Sequence, residues 1–205
     1  MARSVLYLDS MRTLELLRAF PVLVVLATGP AAHLTAQRPI PDGHVTAGRL
    51  SYDGRATLGS FTGTTDSVSG RLNGAADLSR VSGYVAGRAG TLKTGNGKRD
   101  RDQWSSLEVD SFPFIRYDLD STSVRSALGD TLVVTLHGHF AIHGVRRAAE
   151  LSAKLLLTPT TAHLWTETPL NLIDYRIGGL SKFFGALKMN PDIIVHIDVT
   201  FLFGS

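Results

Sequence analysis

From Gly43 to the C-terminus, apolar and polar residues alternate in short stretches broken by Gly, Asp, Ser and Asn, the period of two expected of strands with one buried face. Thr131 to His143 shows it most clearly. Leu132, Val134, Leu136, Phe140 and Ile142 fall on one side, with Thr131, Thr135, His137, His139 and His143 on the other. The last segment repeats the pattern, setting Ile193, Val195, Ile197, Val199, Phe201 and Phe203 against His196, Asp198 and Thr200. Between them, Glu150 to Leu157 turns Leu151, Ala153, Leu155 and Leu157 inward, and Ala162 to Ile173 places Leu164, Leu170 and Leu172 on one side. Tight links at His143-Gly144-Val145-Arg146 and Thr158-Pro159-Thr160 make these consecutive antiparallel strands. Upstream, Val45–Ala56, Ser67–Asn73, Arg80–Leu92 and Phe114–Val124 bring the total to roughly eight, at the spacing of a sandwich or closed barrel. Closure is the economical solution because it removes exposed edges. The expected fold class is all-β, an antiparallel barrel with one or two short helices.

Two segments depart from the alternation. Thr94-Gly95-Asn96-Gly97 is a run of turn formers, followed by the charge cluster Lys98-Arg99-Asp100-Arg101-Asp102 and by Trp104. The pattern predicts a helix over Arg99–Val109, capped by Asp100 or Asp102. A second helix is expected over Leu180–Met189, with Phe183, Phe184, Leu187 and Met189 as its apolar residues. Either segment covers a barrel mouth or plugs an open end of the core. The glycines at 59, 63, 70, 74, 83, 87 and 90 mark bends, bulges or close backbone approaches of a curved sheet.

Composition narrows the classes. With 205 residues and 43% hydrophobic content the chain can bury one sizeable core. The formal charge is +3, and it falls to +2 once the three basic and two acidic residues of 1–36 are set aside. Such a weak excess, interleaved with acids, argues against a nucleic-acid partner. The absence of cysteine excludes disulfides and thiolate chemistry. At the N-terminus, Arg12 and Arg18 precede the apolar run from Ala19 to Ala27, and small residues follow as far as Ala36. Residues 1–36 therefore read as a secretory signal, with the domain in 37–205 and an alternative start at Met11. The expected location is periplasmic or secreted.

Candidate chemistry is sparse. His137, His139 and His143 are the arrangement closest to metal ligation, but they share the polar face of a strand and point outward, so no metal is assigned. His196 and Asp198 share a face as a solvated pair, and no Gly-x-Ser-x-Gly elbow is present. No catalytic residue and no cofactor are assigned.

Four ordered pieces carry a resemblance: Thr57-Leu58-Gly59-Ser60-Phe61-Thr62-Gly63-Thr64-Thr65; Leu92-Lys93-Thr94-Gly95-Asn96 with Arg99-Asp100; Phe112-Pro113-Phe114-Ile115-Arg116-Tyr117; and Gly138-His139-Phe140-Ala141-Ile142-His143-Gly144-Val145-Arg146. In order and spacing, from about Gly43 to Phe203, they resemble the YceI-like family. The resemblance implies an eight-stranded antiparallel barrel of lipocalin-like shape, secreted or periplasmic, that holds a long isoprenoid chain in its apolar interior. The partner is then an isoprenoid or another long apolar lipid, with membrane-surface contact for loading and no indication of oligomeric state. Phe61, Trp104, Ile115, Tyr117 and Val134 are the first candidates to line the interior, followed by Leu136, Phe140, Ile142, Val199 and Phe201. Each is equally an ordinary core residue. Phe183, Phe184 and Leu187 are lid candidates. Arg99 and Asp100 form either a structural corner beside the opening or, through Arg99, a contact to a polar headgroup. The rival expectation is a structural or stress-related secreted barrel filled by its own side chains.

Overall fold

The computed structural model describes residues 39–178, 181–182 and 187–204. The signal-like segment 1–36 lies outside the described residues. The strands are β1 (Gly43–Ala56), β2 (Gly59–Thr65), β3 (Val68–Asn73), β4 (Ser82–Arg88), β5 (Phe114–Leu128), β6 (Thr131–Ile142), β7 (Val145–Leu157), β8 (Thr161–Asn171), β9 (Ser181–Lys182), β10 (Leu187–Lys188) and β11 (Asp192–Phe203). One helix, α1 (Gly97–Ser106), lies between β4 and β5.

Neighbouring strands pair antiparallel in the order β11-β8-β7-β6-β5-β4-β3-β1-β2, and β1 pairs back onto β11 from Gly43↔Phe203 to Asp53↔Ile194. The sheet is thereby closed. β2 and β3 both pair with β1, β2 along Leu50–Ala56 and β3 at Gly43 and His44, so together they fill one position of an eight-strand barrel. The alternation of β6 is strict: Leu132, Val134, Leu136, Gly138, Phe140 and Ile142 are buried and the residues between them half-exposed. Bulges in β1 at Val45/Ala47 and in β5 at Leu119/Ser121 and Val124/Ser126 supply the local twist that closure requires.

His143 and Gly144 form the two-residue link between β6 and β7, with φ of 50° and 72°. Positive φ at both positions matches the primed turns that follow strand twist. His143 therefore leaves the strand and does not share the outer face of His137 and His139, contrary to the alternation extrapolated through it.

Three elements differ from expectation. Gly59–Thr65 is a strand that the alternation does not pick out; it is held by the ladder to β1. The stretch expected as one strand over Arg80–Leu92 shortens to β4, with 3-10 turns at Leu78–Arg80 and Ala89–Thr91. A helix over Leu180–Met189 is not formed in the described residues, where β9 and β10 pair antiparallel and Met189 bridges Ala56. Thr57 N donates to Lys188 O at 2.9 Å and Asn190 N to Arg55 O at 2.8 Å, so the backbone of this segment extends the end of β1. Phe183 and Phe184 lie outside the described residues, and the side chain of Leu187 is likewise not described.

The two barrel ends are built differently. At one end Ile40 exchanges backbone hydrogen bonds with Ala75, and Leu78 and Val81 are buried beneath it, forming an apolar plug. The β1–β2 hairpin, α1, the end of β8 and the start of β11 surround the other.

Candidate functional site

At the unplugged end the barrel holds an apolar cavity of about 450 Å³. Its upper wall comes from Leu50 and Tyr52 of β1, Phe61 of β2, Leu107 after α1, and Leu170 and Leu172 at the end of β8. Deeper in, Ile115, Phe140, Ile142, Ile193 and Val195 continue it. Beneath lies a second void of only about 60 Å³, lined among others by Leu72, Leu136, Leu151 and Phe201. The interior is open toward the mouth and filled by its own side chains beyond it.

Tyr117, Val85 and Ile197 line both spaces and form the waist between them. Val85 and Tyr117 are direct cross-strand partners, as are Tyr117 and Phe140. The Tyr117 and Phe140 rings meet edge to face at 5.0 Å. The Tyr117 hydroxyl is 3.2 Å from Leu136 O and 3.1 Å from Ala149 O, so it donates across β6 toward β7. This path requires Gly138, where a Cβ would sit 2.0 Å from Asp118 O and 2.9 Å from the hydroxyl. Burial pushes the Tyr117 phenol upward from its ordinary pKa.

The mouth is organised by α1. Asn96, not Asp100 or Asp102, is its N-cap, accepting from Lys98 N and Arg99 N at 3.1 Å each. Asp100 is buried and faces back, its Oδ1 accepting from Thr94 N at 2.8 Å and from the Thr94 hydroxyl at 2.6 Å. Arg99 closes the same corner: Nε donates to Thr94 Oγ1 at 2.8 Å and Nη2 to Thr94 O at 3.2 Å. Its guanidinium carbon stands 4.2 Å from the centroid of Phe61, which also meets Tyr52 edge to face at 6.1 Å between ring centroids. Tyr52 donates to Gln103 Oε1, and burial raises its pKa. Asn96, Lys98, Arg99, Asp102, Gln103, Arg88 and Lys188 give the rim its polar groups, most of them cationic.

The expected lining residues divide. Phe61, Ile115, Tyr117, Phe140 and Ile142 face the larger cavity. Leu136 and Phe201 face the small void, while Val134 and Val199 are fully packed among core side chains. Trp104 is on α1 outside the cavity, its Nε1 donating to Leu92 O at 2.9 Å to dock the helix. Alternation alone gives all inward positions of a strand the same sign, so it does not separate a filled level from an open one. Leu50, Tyr52, Val85, Leu170, Leu172, Ile193, Val195 and Ile197 were missed as lining residues although most lie on faces legible as inward; Ile177, from the turn after β8, carries no periodic signal.

The outer-face histidines are dispersed. His137 is within 3.1 Å of Glu150 and 2.9 Å of Ser123, and His139 within 2.9 Å of Asp120. His143 packs on Phe112 and lies 3.1 Å from Tyr175 O. Among the described residues no three His, Asp or Glu side chains converge where an ion could be held. His196 and Asp198 do not pair with each other: His196 reaches Asp53 at 2.9 Å and Asp198 reaches His163 at 2.7 Å. The Thr62 hydrogen bond, followed by that from His196, holds the Asp53 carboxyl below its usual range. These groups form a belt of cross-strand pairs on the outer wall.

A family model described as the YceI-like domain matches residues 44–201. The chain belongs to the YceI-like family. Solved structures agree on the fold. One is a polyisoprenoid binding domain from Saccharophagus degradans implicated in plant cell wall breakdown, with TM-score 0.66, 13% identity, and coverage of 80% of this chain and 99% of that one. Another is BcnA of Burkholderia cenocepacia, with TM-score 0.61, 11% identity and coverage of 75% and 95%. No curated protein matches the chain. In this YceI-like barrel the cavity and the α1 corner stand at the same end.

Proposed function

We propose that this YceI-like protein is a secreted or periplasmic carrier that takes the tail of an isoprenoid-like lipid into its barrel, without covalent chemistry. The observation that carries this reading is the apolar cavity of about 450 Å³, open at one end of an otherwise closed barrel. Its size falls within the range of small-molecule sites. Burial of apolar surface contributes about 25 cal/mol per Å², so an enclosed alkyl or prenyl tail gains affinity without specific polar contacts. The polyisoprenoid-binding domain among the structural neighbours supports this ligand class.

The headgroup stays at the rim. Arg99 is committed on one side to Thr94 and stacked on Phe61, so it serves first as scaffold and second as part of a cationic collar with Arg88 and Lys188. Loading occurs at a membrane surface: Leu58, at the tip of the β1–β2 hairpin, is 83% exposed, and Ile173, in the turn after β8, is 63% exposed at the same end.

Organic extraction of the protein purified from its native host, followed by mass spectrometry, tests the carrier reading. The expected result is a prenyl or other long-chain lipid in stoichiometric amount. An empty extract, together with no uptake of added lipid by the purified protein, would leave a self-supporting structural barrel instead.

A further inference from the structure

We infer that the waist formed by Tyr117, Val85 and Ile197 acts as a length gauge, admitting about three isoprene units, or a chain of equivalent length, and leaving any further carbons outside the mouth. This inference rests on the carrier reading and adds the depth to which the tail is taken in. The larger space holds about 450 Å³, and at roughly 30 Å³ per heavy atom, the liquid-volume share of a water molecule, it accommodates on the order of 15 carbons. The space beyond the waist is about 60 Å³, room for roughly two more carbons if it could be reached.

The waist is a fixed feature. Tyr117 is held at its ring by Phe140 and at its hydroxyl by the carbonyls of Leu136 and Ala149. It belongs to a cross-strand row with Val85 and Phe140, so its position is set by the register of three strands. Ile197 meets it from β11, where it is buried in the closing pair with Leu50. Below, Leu72, Leu78, Val81, Leu151 and Phe201 are each buried and fill the barrel to its plug. Passing the waist therefore means displacing packed core, whereas leaving through the mouth means entering solvent or a bilayer.

The experiment measures affinities of prenyl alcohols with two to six isoprene units by displacement of an anilinonaphthalene sulfonate reporter. Each added unit that enters the cavity buries several methylenes, each worth about fourfold in affinity, so each unit up to about the third should tighten binding by at least about tenfold. Beyond that point the gain should fall below about threefold per unit. In Tyr117→Ala the two spaces merge, and the break should move about one unit longer, since the ring and the lower void together vacate room for roughly five carbons. Ile197→Ala tests the opposite wall with the same expected direction, and the break in the unaltered protein stands even where a variant fails to fold. A gain that continues undiminished through six units overturns the length gauge while leaving the carrier intact. Absence of binding at every length removes the carrier and the gauge together.

Discussion

The side chains that fix the mouth are bound by polar chemistry that a single substitution exposes. Asp100 is 7% exposed and accepts both hydrogen bonds that Thr94 offers, and Thr94 in turn accepts from Arg99. Asp100→Ala leaves two half-buried Thr94 donors without their acceptor and loosens the hydroxyl on which Arg99 is anchored, which should cost about 1–3 kcal/mol of stability in urea denaturation. Asp100→Asn keeps an acceptor and should cost less. Tyr52, Tyr117 and Tyr175 give a second residue-level test, because burial raises all three phenols above their ordinary value of 10.0. The folded protein thus keeps protons that the unfolded chain gives up. Their contribution is fully present below about pH 10 and declines as pH rises through that value, since the unfolded state then binds fewer protons. Stability measured by denaturant titration should fall from about pH 10 upward. Tyr52→Phe with Tyr117→Phe should flatten that fall; an unchanged slope would assign it to other groups.

Among the elements, legibility followed periodicity. β6 and β11 could be read directly because alternation over twelve residues in each leaves one register that turns the main apolar row inward, even though Ile194 and Leu202 of β11 stay exposed. β2 could not, since Gly59, Gly63 and three threonines carry little apolar signal; Gly63 is there because a Cβ would come within 2.2 Å of the Tyr52 ring. The start of α1 was displaced by two competing caps in the charge cluster, and Asn96 took the role while Asp100 turned inward. Over Leu180–Met189 the apolar residues suggested a helix, but backbone pairing with the end of β1 decides the described part, and Gly185 gives a helix little support. Two glycines separate steric need from turn need. Gly138→Ala forces a Cβ against Asp118 O within the β5–β6 ladder and should destabilise by about 3 kcal/mol with loss of the Tyr117 hydrogen bonds. Gly95→Ala meets no atom within 4 Å and should cost only the roughly 1 kcal/mol of its positive φ. Paired thermal unfolding checks the contrast.

For the whole molecule, closure was legible because every long strand had one buried face, while the location of empty space was not, because emptiness depends on how opposing walls meet. Phe201 and Ile193 sit on one face of β11, yet one fills the plugged half and the other borders the cavity. The resulting asymmetry has a consequence for exchange. With the plug at one end, a tail would enter and leave past the rim, at the end that carries exposed Leu58 and Ile173 and the cationic groups Arg88, Arg99 and Lys188. A bilayer bearing anionic headgroups offers both complements, apolar for the tips and negative for the collar. Transfer of a fluorescent prenyl lipid from phosphatidylglycerol-containing vesicles should therefore outpace transfer from neutral ones, and added salt should narrow the difference. Leu58→Asp removes an apolar contact worth about 1.5–3 kcal/mol when fully buried and sets a negative charge against the surface, so transfer should slow by at least about tenfold. Affinity for the prenyl alcohol in solution should change less than the transfer rate, because Leu58 touches only the outer lip of the cavity and leaves the waist and deeper walls as they are. Equal transfer rates from both vesicle types, unaffected by Leu58→Asp, would place loading in solution, with the mouth acting only as an opening.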